Sequence, residues 1–287
     1  MIELLALGSA VLYGSADFFG GLTARRANTI ATVFWSQSVG LVLLLLILPF
    51  LPAATVSSRD WVWGFVAGFS GGIGVALLYR ALAIGKMAVV APTTAVIAAM
   101  IPVIFAFVLG ERLRMLTWSG VALALVAIAL VSRPAPQGDD VEPQSNSRKL
   151  PPGFALALLS GIAVGIFFLS LARTTMAAGM WPLIAARIAS IALFGSIALI
   201  AGKTLRMSAT AMVTASTGGA LDMAANALYM IAARIGPLSV VVTLASLYPA
   251  STVLLARTVL GERLSAVQIG GIVCALAAVL IIVGTTG

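Results

Sequence analysis

The sequence predicts an all-α integral membrane protein, with ten transmembrane helices arranged as two inverted five-helix repeats. Three observations carry this expectation. Only 9% of the 287 residues are charged and 61% are hydrophobic, against about 25% charged in a soluble domain, so polarity is too scarce to cover a globule in water. The apolar residues fall in runs of about 20 without alternation, the length an α-helix needs to cross a bilayer core. Finally, Leu109-Gly110-Glu111-Arg112-Leu113 recurs as Leu260-Gly261-Glu262-Arg263-Leu264, charges included, which marks an internal repeat.

In lipid every backbone polar group must be satisfied within the protein, which leaves helices or a sealed barrel. The spans fall at 3–22, 30–50, 61–82, 87–108 and 115–132, then at 153–172, 182–201, 209–232, 237–258 and 265–284. Met1-Ile2-Glu3 lacks the positive segment of a signal peptide, so the first run reads as a span. Residues 1–132 form the first repeat and 153–287 the second. Between them, 133–152 holds five prolines, Asp139, Asp140, Glu142, Arg148 and Lys149, and reads as a flexible linker.

Sliding the halves by the spacing of the repeated motif aligns Ser9 with Ser160, Gly14 with Gly165, Gly68 with Gly219, Ala81 with Ala232 and Gly85 with Gly236. The coincidences are mostly small residues, as shared helix-packing positions require. An odd number of spans per half makes the second half enter the membrane from the opposite side. In the third span, Gly64, Gly68 and Gly72 recur every four residues, a flat face on which another helix can approach closely.

Several function classes are excluded. The net charge of +8 would suggest nucleic acid in a soluble protein, but Lys and Arg cluster at the ends of apolar runs, where they anchor helices. No basic, aromatic-interleaved stretch exists to follow a nucleic-acid backbone. With no His and the single Cys274 in an apolar run, no His/Cys metal site, cofactor or internal disulfide is expected. Gly68-Phe69-Ser70-Gly71-Gly72 fits a nucleophile elbow, yet no Ser-His-acid triad can form without histidine. Gly85-Lys86 lacks the rest of a nucleotide-binding loop. Uphill transport would therefore use an ion gradient or exchange.

Three ionisable residues lie well inside spans: Asp17, Arg187 and Asp222. Insertion of such a charge costs at least about 2.5–3.5 kcal/mol, so each should face a cavity or a partner. Asp222, Asn226 and Tyr229 are spaced i, i+4 and i+7, placing acceptor, amide and phenol on one face of the eighth helix. The corresponding residues of the third helix are Gly71, Val75 and Leu78, so the repeat does not impose this stripe. Tyr13 and Asp17 form a similar pair on the first helix, and Arg187 with Ser190 a polar edge on the seventh. These are the candidate substrate-binding residues, with Tyr79 and Tyr248 as further cavity walls. A structural alternative pairs Arg187 with Asp222 or Asp17 to hold helices together. Pro92, Pro102 and Pro249 interrupt the fourth and ninth spans and could free carbonyls at a site or hinge.

Ten spans with LGE-R-L before the last span of each half, and the opening Leu12-Tyr13-Gly14-Ser15-Ala16-Asp17-Phe18, resemble the drug/metabolite transporter superfamily and its EamA-type members. Within it the chain is most similar in overall pattern to bacterial exporters of aromatic amino acids, the YddG type. The resemblance implies a cavity lined by the first, third, fourth, sixth, eighth and ninth helices. It also implies rocking between outward-open and inward-open states, and residence as a multi-pass protein of the bacterial inner membrane. Small multidrug-resistance relatives carry a coupling glutamate where Gly14 stands here, and Asp17 lies almost one turn on, so facilitated or exchange transport ranks above proton antiport. The expected activity is secondary transport of amino acids or similar small metabolites, with export as the direction, by a monomer or weak homo-oligomer. The alternatives are proton-coupled efflux of lipophilic cations or, from another class, an intramembrane enzyme or scaffold. Five Lys/Arg on the side of the termini against eleven on the other place the termini outside, whereas the family resemblance places them in the cytoplasm.

Overall fold

The computed structural model describes residues 1–85, 87–110, 114–131, 152–260 and 266–286. Each predicted span is a helix, and the ninth is two. The first half contains α1 (Ile2–Ala24), α2 (Thr29–Ile47), α3 (Ser58–Ile84), α4 (Met87–Val108) and α5 (Met115–Val131). The second contains α6 (Phe154–Ala172), α7 (Trp181–Ile200), α8 (Ala209–Ile235), the pair α9 (Leu238–Ala245) and α10 (Tyr248–Leu260), and α11 (Ala266–Thr286). Glu111-Arg112-Leu113, Gly261-Glu262-Arg263-Leu264 and 133–151 of the linker lie outside the described residues.

Short polar signals fix where helices begin and end. Asn28 caps α2 by accepting from Ile30 N at 2.9 Å, and Ser208 caps α8 by accepting from Ala211 N at 3.2 Å. Ser57 and Asp60 form a reciprocal capping box on α3, satisfying donors that a helix start leaves open. Gly110, at φ +81, follows α4, in the left-handed conformation that glycine adopts without a Cβ penalty. Among the described residues six helical segments, α9–α10 taken as one, are long and apolar enough to cross a membrane, and shorter apolar helices accompany them. The 27-residue α8 is long enough but is not among the six; its composition is diluted by the polar residues that it carries inward.

The helix packing is nearly unchanged when the halves are exchanged, α1 for α6, α2 for α7, α3 for α8, α4 for α9–α10 and α5 for α11. Thus α1 packs along α8 as α6 does along α3, α9–α10 on α1 as α4 on α6, and α8 on α2 as α3 on α7. Glycines make these approaches possible. A Cβ on Gly64 would lie 2.8 Å from Pro182 O, one on Gly68 would meet Ala186 O, and one on Gly72 would lie 2.5 Å from Ser190 Oγ. The four-residue glycine face of α3 therefore lies against residues of α7 spaced by four. Gly165 meets Ile101 in α4, while Gly14 meets Tyr248 and Ser251 at the start of α10.

The predicted proline interruptions divide. Pro92 and Pro102 lie inside α4, which continues through both. Pro249 follows the break at Ser246-Leu247 and is the second residue of α10, where its missing N–H is no loss. Near the break, Thr252 Oγ1 donates to Gly14 O at 2.9 Å, tying α10 to α1.

Loops are stitched at both ends of the bundle. Buried Asp60 accepts from Thr175 N at 2.7 Å and Thr175 Oγ1 at 3.1 Å, while Arg234 donates to Thr174 Oγ1 and Gly179 O, both at 2.7 Å. At the other end, Trp35 Nε1 donates to Leu205 O at 2.9 Å.

Candidate functional site

Where the halves meet, α1, α2, α3, α6, α7, α8 and Tyr248 surround a cavity with about 640 Å³ of atom-free space, its open mouth included. One wall is polar. Arg187, on α7 and 4% exposed, donates from one terminal nitrogen to Asp222 Oδ2 at 2.7 Å and from the other to Gln37 Oε1. Asn226 Nδ2 donates to Asp222 Oδ2 at 3.1 Å and to Asp222 O at 2.7 Å. Its Oδ1 accepts from Tyr13 OH at 2.7 Å. Four helices, α2, α7, α8 and α1, are thus joined by one chain of hydrogen bonds.

The spacing on α8 explains part of this arrangement. Asp222 and Asn226 sit one turn apart, so one amide can reach the carboxylate below it while facing α1. Arg187 enters from α7 and gives the carboxylate a compensating charge, which the low-dielectric surroundings require. The structural pairing expected for Arg187 is present with Asp222, and the ion pair itself lines the cavity. Asp17, a turn beyond Tyr13, also lines the cavity and makes no hydrogen bond or ion pair among the described residues.

The other wall is apolar. It includes Gly71, Gly72 and Val75 from α3 with Val164, Phe167 and Phe168 from α6. A Cβ on Gly71 would lie 2.7 Å from the Phe167 ring, so glycine there lets the ring settle against the helix backbone. Tyr13 stands edge-on to Phe168 at 5.7 Å and to Tyr248 at 6.4 Å between centroids, favourable geometries for aromatic rings. Ser190 is 2% exposed, lines the cavity and has no hydrogen-bond partner for its hydroxyl.

Of the seven substrate-binding candidates, Tyr13, Asp17, Asp222, Asn226 and Tyr248 line the cavity. Tyr229 and Tyr79 do not. Tyr229 is fully buried, and its hydroxyl donates to Phe168 O at 3.0 Å. Tyr79 is 2% exposed, and its ring occupies the space over Gly20 on α1. Sequence reasoning missed Gln37, Phe167 and Phe168. Gln37 has a signal, as an amide inside the apolar run 30–50; Phe168 has one in register, since it aligns with Asp17. Among the described residues no group of three or more His, Cys, Asp or Glu side chains converges to hold a metal.

The family model for the EamA-like transporter family matches twice, over residues 1–133 and 151–284. The chain belongs to the EamA-like transporter family. It is accordingly a multi-pass membrane transporter of small solutes. The two matches divide this EamA-like transporter within the linker. No curated protein matches the chain. A solved crystal structure superposes with a TM-score of 0.71 at 16% identity, covering 98% of this chain and 95% of the other; at that identity the likeness concerns the fold alone.

Proposed function

We propose that this EamA-like transporter moves amino acids or similar small metabolites across the bacterial inner membrane by alternating access, acting as an exporter. The observation that carries the proposal is the division of the cavity into a hydrogen-bonded polar wall and an apolar, partly aromatic wall. Small-solute sites combine an apolar lining with a few placed polar groups, which fix the orientation of the solute. The polar head of an amphipathic metabolite would face α1 and α8, and its body would lie against α3 and α6. We take the halves as inverted repeats whose relative rocking moves the cavity from one face to the other. The resemblance to exporters of aromatic amino acids agrees with Phe167 and Phe168 in the apolar wall. The solute moves down its own gradient by facilitated transport, or is driven by exchange for a second solute.

The test is uptake into liposomes of labelled neutral amino acids and of amines derived from them. Asp222→Asn and Asn226→Ala should each reduce the initial rate at least about tenfold, because each disturbs groups that the solute would meet. Undiminished rates in both variants, at equal incorporation, would remove the polar wall from the transport path.

A further inference from the structure

We infer that the solute carried in this cavity is an organic monocation with an apolar body, an amine whose carboxylate is absent or masked, held by Asp17. This rests on the cavity being the transport site, and it follows from the polar capacity left after the walls have satisfied each other. Arg187 is engaged at both terminal nitrogens, by Gln37 and Asp222. Its side chain is 5% exposed and that of Asp222 is 15% exposed, so the pair is enclosed and its charges are matched. No other Lys or Arg lines the cavity among the described residues. A solute carboxylate therefore meets no uncommitted cation. To reach Arg187 it would have to displace Asp222, leaving that aspartate enclosed beside a second anion, which is strongly unfavourable.

The unused groups favour the opposite charge. One arginine against two aspartates leaves one formal negative charge over, and Asp17 is the carboxylate without a hydrogen bond or ion pair among the described residues. Ser190 also belongs to the lining, and its buried hydroxyl, packed over Gly72, has no partner. Phe168 and Tyr248 stand in edge contact with Tyr13, and all three rings line the same cavity as Asp17. Aromatic faces attract cations as well as apolar bodies. An ammonium at Asp17 and an aromatic or aliphatic body on Phe167 would use the carboxylate and the apolar wall left open.

Isothermal titration of the detergent-solubilised protein with 2-phenylethylamine, phenylalanine amide and phenylalanine tests this directly. These probes share one body and differ in charge. The two cations should bind about tenfold or more tightly than phenylalanine, as charge complementarity requires. Asp17→Asn should abolish the preference and Asp17→Glu should keep it, with thermal unfolding of each variant as the check on folding. Phenylalanine binding as tightly as the amine, or a preference that survives in Asp17→Asn, would overturn the inference while leaving the cavity as the transport site. Failure of all three to bind wild type would overturn the small-metabolite proposal along with it.

Discussion

The two walls of the cavity occupy equivalent places in the two halves and carry opposite chemistry. Aligned by the repeat spacing, Tyr13 corresponds to Val164, Asp17 to Phe168, Asp222 to Gly71 and Asn226 to Val75. All eight residues line the cavity. The scaffold repeats: glycines at Gly14 and Gly165, or at Gly68 and Gly219, bring equivalent helices together. The lining does not. A two-fold scaffold makes a symmetric space, and only a difference in side chains can give that space a polar end and an apolar end. Such a difference is what a small asymmetric solute needs if it is to bind in one orientation.

Breaking the polar wall at its charge should have the largest effect. Asp222→Leu leaves Arg187 buried without its counter-charge, and removal of one partner of a buried pair typically costs about 3–5 kcal/mol. The double variant Arg187→Met with Asp222→Leu should be more stable than Asp222→Leu alone. Thermal unfolding in detergent measures both; a double variant no better than the single would mean that the two charges do not compensate each other.

Making the walls alike should have a middling effect. Asn226→Val copies Val75 onto α8 and removes the partner of Tyr13 OH and one of the two donors to Asp222 Oδ2, with an expected loss of about 1–3 kcal/mol, mainly from the hydroxyl left unsatisfied. The apolar wall has no hydrogen bond to lose at the equivalent place, so Val75→Ala should cost less than Asn226→Val in the same unfolding measurement. The smallest effect is expected for Tyr13→Phe, which removes one hydroxyl while keeping the ring contacts with Phe168 and Tyr248. A loss of about 1 kcal/mol is expected, and a much larger one would show that the network depends on Tyr13 more than pairwise bonding allows.

The fold was legible in the sequence because its determinants are local or periodic. Run length reports the spans, the repeated motif reports the two halves, and the four-residue glycine spacing reports the face that α7 covers. The site was legible only in part, because periodicity tells which residues share a face of their own helix and not which neighbour that face meets. Asp222, Asn226 and Tyr229 share one face of α8, yet the first two reach the cavity and the third reaches the Phe168 carbonyl. The signal at Gln37, an amide inside an apolar run, names no partner; its meaning appears only when α7 brings Arg187 beside it. Phe167 and Phe168 read as ordinary lipid-soluble residues until packing turns them inward. Pro92 and Pro102 were expected to interrupt the fourth span, but α4 continues through both, whereas the ninth span breaks just ahead of Pro249.

The most direct measurement is the accessibility of the cavity from each face of the membrane. In a Cys274→Ser background, Val75→Cys places one thiol in the apolar wall. A membrane-impermeant methanethiosulfonate applied separately to right-side-out and inside-out vesicles should modify it from both faces, and a transported amine or amino acid should slow both reactions. Modification from one face alone, or rates indifferent to every solute that the protein transports, would contradict a cavity that alternates between the two sides.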